Sequence, residues 1–158
     1  MKSSKKIKSL HSLIGVVRKL KKESKRIVFT NGCFDIIHPG HIKVFKEAKK
    51  KGDILIVGVN SDKSIKTIKG PKRPILNQKA RTYIVSSFEP VDYVVLFNEP
   101  TPFRLIKEIK PEIIVKGGDW RMNNIVGRNI ARKVARIKPL KGYSTTSIIN
   151  KIAKLYND

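Results

Sequence analysis

The chain predicts an α/β fold: a doubly wound, five-stranded, Rossmann-like parallel sheet with helices on both faces. Three observations carry this prediction. Apolar runs such as DILIVGVN (53–60) are continuous rather than alternating, as strands are when both faces of a sheet are covered. Segments of helical period lie between these runs, so strands and helices alternate along the chain. Polar and glycine-rich residues gather directly after the strands, in NGCFDIIHPGH, NSDKS and KGGDW. That is where an open parallel sheet binds its ligands.

The elements follow in order. Ile7, Leu10, Ile14, Val17 and Leu20 recur at helical spacing, which predicts a basic amphipathic helix within residues 1–24, packed on a single domain of residues 25–158. RIVFT (26–30) reads as a buried strand, and IKVFKEAKKK (42–51) as a helix starting near His41 and closed by Gly52. DILIVGVN is the second strand. The lysine-rich SDKSIKTIKGPKRPILN after it reads as a loop, long enough to suggest a functional one. QKARTYIVSSF (78–88) is helical and DYVVLF (92–97) is the third strand. Thr101 is placed to cap a helix PFRLIKEI with Pro102 at its first position. EIIVKGG (112–118) is a fourth strand ending in a glycine pair. A short helix, a weaker fifth strand in VARIKPL and a capped final helix in STTSIINKIAKLY complete the pattern.

Composition narrows the function. With 158 residues, 40% hydrophobic and 30% charged, the chain is neither disordered nor a membrane protein. Its apolar runs are too short to span a bilayer, and lysines interrupt the apolar stretch of the N-terminus before any signal-type cleavage site. One cysteine, Cys33, excludes an internal disulfide, and no CxxC pair exists for zinc, so a cytoplasmic location is expected. The net charge of +23 attracts polyanions. Its lysines, however, are scattered through every segment, without an arginine-rich arm, an aromatic RNA-binding pattern or zinc-finger spacing. Nucleic acid is therefore disfavoured as a partner, and phosphorylated small molecules fit the charge equally well.

The chemistry concentrates at HPGH. A helix opening at His41 presents free backbone N–H groups in its first turn, a ready phosphate site. Gly40 removes a side chain where a phosphate would approach, Pro39 stiffens the turn, and His38 and His41 add two N–H donors. Phosphoryl and nucleotidyl transfer develop charge on phosphate oxygens, so positioning and electrostatics do most of the catalysis. Metal ligation is the alternative for two close histidines, but no third ligand stands at a zinc-like spacing. There is no GxxxxGK[ST], no GxGxxG after the first strand and no GxSxG.

TNGCFDIIHPGH, with GYSTTSII near the C-terminus, resembles the cytidylyltransferase-like nucleotidyltransferases, which carry an HxGH motif and a later Ser-Thr-Thr motif. GDILIVGVNSDKSIKTIKGPKRPI and IIVKGGDW are most similar to the D-glycero-β-D-manno-heptose 1-phosphate adenylyltransferases of lipopolysaccharide-core synthesis. The likeness runs over residues 25 to 155. It implies that His38 and His41 stabilise the α-phosphate and its transition state, that Lys69 is a phosphate-binding lysine of the long loop, and that Arg81 is the arginine these enzymes keep after that loop, all four being catalytic candidates. Thr30, Asn31, Gly32, Phe34, Gly40 and Gly117 would form the nucleotide site. Ser144, Thr145 and Thr146 would cap the last helix and donate to the β- and γ-phosphates, although Ser/Thr before an apolar helical run also serves as an ordinary N-cap. Ser147 stands where those enzymes usually have asparagine. Asp119 would hold ribose or sugar hydroxyls, Asp35 is a weaker candidate for the same task, and Trp120 either walls the pocket or packs.

The implied reaction transfers AMP from ATP to the heptose 1-phosphate and releases pyrophosphate. The attacking oxygen is already ionised, so no general base is required. Mg²⁺ would arrive on the ATP phosphates, with no protein ligands legible. A separate upstream kinase and a homodimer are the expected partners. A glycerol-3-phosphate cytidylyltransferase or an FMN adenylyltransferase is the enzyme alternative. A basic nucleic-acid-binding module is the alternative from another class.

Overall fold

The computed structural model describes residues 4–118 and 121–156. The chain opens with strand β1 (Ile7–Lys8), helix α1 (Leu10–Lys22), β2 (Ile27–Gly32) and α2 (Pro39–Lys49). It continues with β3 (Ile54–Asn60), α3 (Asp62–Lys69), α4 (Gln78–Ser86), β4 (Tyr93–Phe97) and α5 (Phe103–Ile109). β5 (Ile113–Gly117), a single 3-10 turn (Met122–Asn124), β6 (Lys133–Ile137) and α6 (Thr145–Tyr156) close it. Among the described residues the strands form one parallel sheet in the order β1-β4-β3-β2-β5-β6.

Strand alternation sorts the core into two halves. Ile27 and Phe29 of β2, Ile56 of β3 and Ile114 of β5 point toward α1 and α5, meeting Leu13, Val17, Leu105, Ile106 and Ile109. Val28, Leu55, Val57, Val59 and Val115 point the other way, onto Phe45 and Ala48 of α2 and Val85 of α4. Both faces are thus covered, which is why the central strands read as unbroken apolar runs. From β2 the chain winds outward through β3 and β4, then returns to place β5 and β6 on the other side. The strand order therefore reverses between β2 and β5, and the crevice beyond their carboxyl ends is the place for a ligand.

The structure corrects four expectations. The sheet has six strands, not five, because β1 pairs with β4 through Ile7 and Lys8; two residues are too few to leave a periodic signal, and Ile7 also fits the helical spacing. α2 begins at Pro39 rather than at His41. Proline suits the first helical position, and it drives the preceding His38 into extended backbone (φ −142°, ψ 165°). The lysine-rich loop contains α3, capped by Ser61, whose side chain accepts from the Ser64 N–H at 3.2 Å. Its lysines face solvent while Ile65 is buried, so composition masked an amphipathic turn. α5 begins at Phe103 with Pro102 as its N-cap and no side-chain cap bond, so Thr101 does not cap it.

Candidate active site

A cavity of about 500 Å³ opens at the carboxyl ends of β2 and β5. Thr30, Asn31, Gly32, Cys33 and Phe34 contribute one wall, His41 and Val44 of α2 a second, and Lys116 and Gly117 a third. Lys69 at the end of α3, Pro100 to Pro102 before α5, and Asn124 and Val126 complete it. Gly117 is required by close approach: a Cβ there would stand 2.5 Å from Val44 Cγ2, so only glycine lets α2 lean onto β5.

The two histidines meet face to face. Their rings stack with centroids 3.8 Å apart and planes 24° apart. Phe34 buttresses His41 edge-on at 5.2 Å and touches Phe45 behind it. Burial, and then the neighbouring His38, pull the His41 pKa down to about 4, and burial also lowers that of His38. Both rings are therefore neutral near pH 7. The Nδ1 atoms of His38 and His41 are each buried without a hydrogen-bond partner. A buried polar atom left unmatched costs about 1–3 kcal/mol, so such a pair is retained where a ligand completes it. Gly40 supports the stack by its lack of a side chain, since a Cβ would stand 3.0 Å from the His38 ring. The start of α2 at Pro39 removes one expected donor: the His41 N–H already binds the His38 carbonyl at 2.9 Å.

The amino end of α6 lies beside this stack. The Thr145 hydroxyl donates to the Ile36 carbonyl at 3.4 Å, and the Tyr143 carbonyl stands 3.9 Å from where a Gly40 Cβ would be. Ser144 and Ser147 form a reciprocal cap: the Ser147 N–H donates to Ser144 Oγ at 3.0 Å and the Ser144 N–H to Ser147 Oγ at 3.1 Å. Ser147, a departure from the expected asparagine, thus performs a capping task of its own.

Other sequence-selected residues are engaged in scaffolding. Arg81, fully buried, donates to the Leu76 carbonyl at 2.9 Å, the Cys33 carbonyl at 2.6 Å and Asp62 at 2.8 Å. It does not line the cavity; it holds the chain after β2 from behind. Asp35 likewise binds Arg73 at 2.6 Å and the N–H groups of Ile75 and Leu76. Burial alone would raise its carboxyl, but the backbone donors of Leu76 and Ile75 and the Arg73 guanidinium outweigh it and hold the pKa low. Burial pushes the Cys33 thiol up, against the pull of Lys69, Arg81 and Arg73. Asp119 and Trp120 fall outside the described residues.

Of the nucleotide-site residues, Thr30, Asn31, Gly32, Phe34 and Gly117 reach the cavity, together with His41 and Lys69. His38 and Gly40 adjoin it behind His41, Thr145 reaches the Ile36 carbonyl beside them, Ser144 and Thr146 stand either side of Thr145 at the start of α6, and Arg81 supports the loop from behind. Sequence reasoning missed Lys116, Thr101, Asn60 and Asn124 among the lining residues. For Lys116 a signal existed, a charge at the end of an apolar strand just before two glycines, where lysine is seldom buried without a task.

A doubly wound sheet with paired histidines at its switch point defines a class, and comparison with known proteins agrees. The chain belongs to the cytidylyltransferase-like family, which matches it over residues 29–151. It is 51% identical over 146 residues to the bifunctional protein HldE of a Nitratiruptor species, covering 92% of this chain and 32% of that one. Against HldE of Geobacter metallireducens identity is 43% over 160 residues, covering 99% and 33%. The chain thus spans about a third of the length of these curated relatives. The crystal structure of a lipopolysaccharide core biosynthesis protein from Thermoplasma volcanium superposes with a TM-score of 0.64 at 33% identity, covering 74% of this chain and 99% of that one. A pantoate-beta-alanine ligase from Francisella tularensis, solved with beta-gamma ATP and beta-alanine, shares the fold at 16% identity, with a TM-score of 0.61 over 96% of this chain and 79% of that one.

Proposed function

We propose that the chain is an adenylyltransferase that moves AMP from ATP to D-glycero-β-D-manno-heptose 1-phosphate, giving ADP-heptose and pyrophosphate. The observation that carries this reading is the stacked His38–His41 pair with two unmatched, buried nitrogens at the sheet's switch point. The similarity to HldE and to a lipopolysaccharide core biosynthesis protein supports the choice of acceptor.

The chemistry follows from the residues present. An anionic oxygen of the acceptor phosphate attacks the α-phosphorus of ATP. A new P–O bond forms, the bond to the α–β bridging oxygen breaks, and that electron pair leaves with pyrophosphate. No proton must be removed from the nucleophile, because the acceptor phosphate is already ionised. His41, with His38 stacked on it, donates to the α-phosphate as charge accumulates there. Ser144, Thr145 and Thr146 lie where the leaving phosphates extend past the histidines, and Lys69 approaches from α3. Arg81 acts by position, fixing the Cys33 carbonyl and hence the loop that delivers the histidines.

Mg²⁺ would neutralise the triphosphate. Among the described residues no group of three or more His, Cys, Asp and Glu side chains could hold it. Asp35 and Asp62 are bound to Arg73 and Arg81, and Mg²⁺ would be carried mainly on the ATP phosphates with several waters. No helix among the described residues is long and apolar enough to cross a membrane. A cytoplasmic setting, a kinase supplying the sugar 1-phosphate and a homodimeric assembly belong to the same proposal.

The test is pyrophosphate release from each of four nucleoside triphosphates against a panel of sugar and polyol phosphates. ATP with the heptose 1-phosphate is expected to give the highest kcat/KM. Faster turnover of CTP with glycerol 3-phosphate would overturn the substrate assignment. Salt-sensitive DNA binding with no turnover of any pair would overturn the enzymatic one.

A further inference from the structure

Lys116 is the one buried lysine among the described residues, 9% exposed at the end of β5. Its ammonium donates to the Asn31 side-chain oxygen at the end of β2. The pairing of Val28 with Ile113 and Phe29 with Ile114, continued two residues onward, brings these two residues abreast. Both lie on the sheet face of Phe29 and Ile114, the α5 side, whereas the histidines enter from α2 on the opposite face. The cavity wraps over the sheet edge between them, lined by Lys116 and Asn31 together with His41.

In nucleotidyl transfer the attacking and leaving oxygens lie roughly in line through phosphorus. The amino end of α6, where the leaving pyrophosphate would extend, sits beside the histidines. The acceptor's phosphate must then enter from the far side, and Lys116 is the buried cation standing there. It would also offset the repulsion between two anionic substrates brought together in one cavity. We infer that Lys116, oriented by Asn31, receives the acceptor's phosphate and aims its oxygen at the α-phosphorus. This rests on the adenylyltransferase reading and goes beyond it by assigning the acceptor half of the cavity.

Protonation supports the assignment. Burial lowers the Lys116 pKa to about 8, so this lysine is partly neutral in mild alkali and takes up a proton when a phosphate arrives. Among the described residues the titratable groups lining the same cavity, besides Lys116, are Cys33, His41 and Lys69; Arg136 is the cross-strand neighbour of Lys116 on β6. Cys33 is pushed up and His41 pushed down, both away from the window around Lys116.

The experiment compares wild type with Lys116→Met, which keeps most of the apolar stem, and Lys116→Arg, which keeps the charge. Expected for Lys116→Met is an acceptor KM raised about ten- to hundred-fold, with ATP affinity, titrated without acceptor, within about threefold. Wild-type acceptor KM should rise above pH 8, and Lys116→Arg, charged throughout, should lose that alkaline limb even if the Met variant fails to fold. Calorimetry with inorganic phosphate in two buffers at pH 8 supplies a readout independent of the acceptor's identity. Wild type should bind with proton uptake and Lys116→Met without it. If wild type does not turn over the heptose phosphate, the substrate reading falls while the phosphate titration still judges Lys116. An ATP affinity that drops with acceptor KM unchanged, or phosphate binding and proton uptake equal in wild type and Met variant, overturns the inference.

Discussion

Two sets of polar side chains flank the chain just after β2, and they are built in opposite ways. Behind the cavity, Arg81 spends its guanidinium on two carbonyls and Asp62, and Asp35 takes Arg73 and two backbone donors. At the cavity, His41 lines the wall with His38 stacked behind it, and among the described residues neither Nδ1 atom has a partner. The difference separates scaffold from reaction centre where both are polar and at least partly buried. A group whose donors and acceptors are all matched within the fold is held by the fold. A group left unmatched at the mouth of a cavity is held by its neighbours for something that arrives later.

The largest effect should come from the scaffold. Arg81→Leu leaves two carbonyls and the partly exposed Asp62 without their donor, and each hydrogen bond to a charged group is worth about 1.5–3 kcal/mol. Thermal denaturation should show a steep loss of Tm, with activity disappearing only as the protein unfolds. Unchanged Tm with lost turnover would move Arg81 to the reactive side of the comparison.

The histidines should behave inversely. His41→Ala and His38→Ala are each expected to fold, to bind ATP within about tenfold, and to lose about 2.7–4 kcal/mol of transition-state stabilisation, a hundred- to a thousand-fold in kcat. Single-turnover kinetics beside a melt decides it, and turnover within a few-fold of wild type would remove that histidine from the mechanism.

Acid sharpens the contrast further. His41 has a folded pKa of about 4 against 6.5 unfolded, so the unfolded chain binds more protons between those values. Stability should therefore fall as pH drops from 6.5 toward 4, with a slope of at most about 1.4 kcal/mol per pH unit from this residue. Denaturant titrations across that range should show the slope reduced in His41→Ala. An identical slope would mean that the imidazole titrates normally.

The smallest effect belongs to Ser147. Ser147→Ala removes half of a reciprocal cap, about 0.5 kcal/mol for the helix. Because α6 buries none of its residues, the loss should appear as faster hydrogen exchange in its first turn with global Tm unchanged.

Legibility differs between the same two regions. HPGH is readable because its residue types, two imidazoles around a turn-forming proline and glycine, suit few structural purposes. Arg81 looks like any of 35 cations in the sequence, and only the apolar strand before Lys116 and the glycine pair after it set that lysine apart. Asn31 reads as a nucleotide residue, yet what its side chain holds is Lys116, 85 positions away.

The sequence by itself determined the class of sheet, the order of its main elements and the strand ends at which polar chemistry collects. These follow from local period and hydrophobicity, which act over a few residues. Tertiary structure alone decided that Ile7 and Lys8 add a sixth strand, and that Arg81 turns inward to three acceptors. It also decided that Lys116 crosses to Asn31 on the face opposite the histidines. Those outcomes depend on which distant groups meet once strand order is fixed, and desolvation then determines whether each charge becomes a support or a reagent.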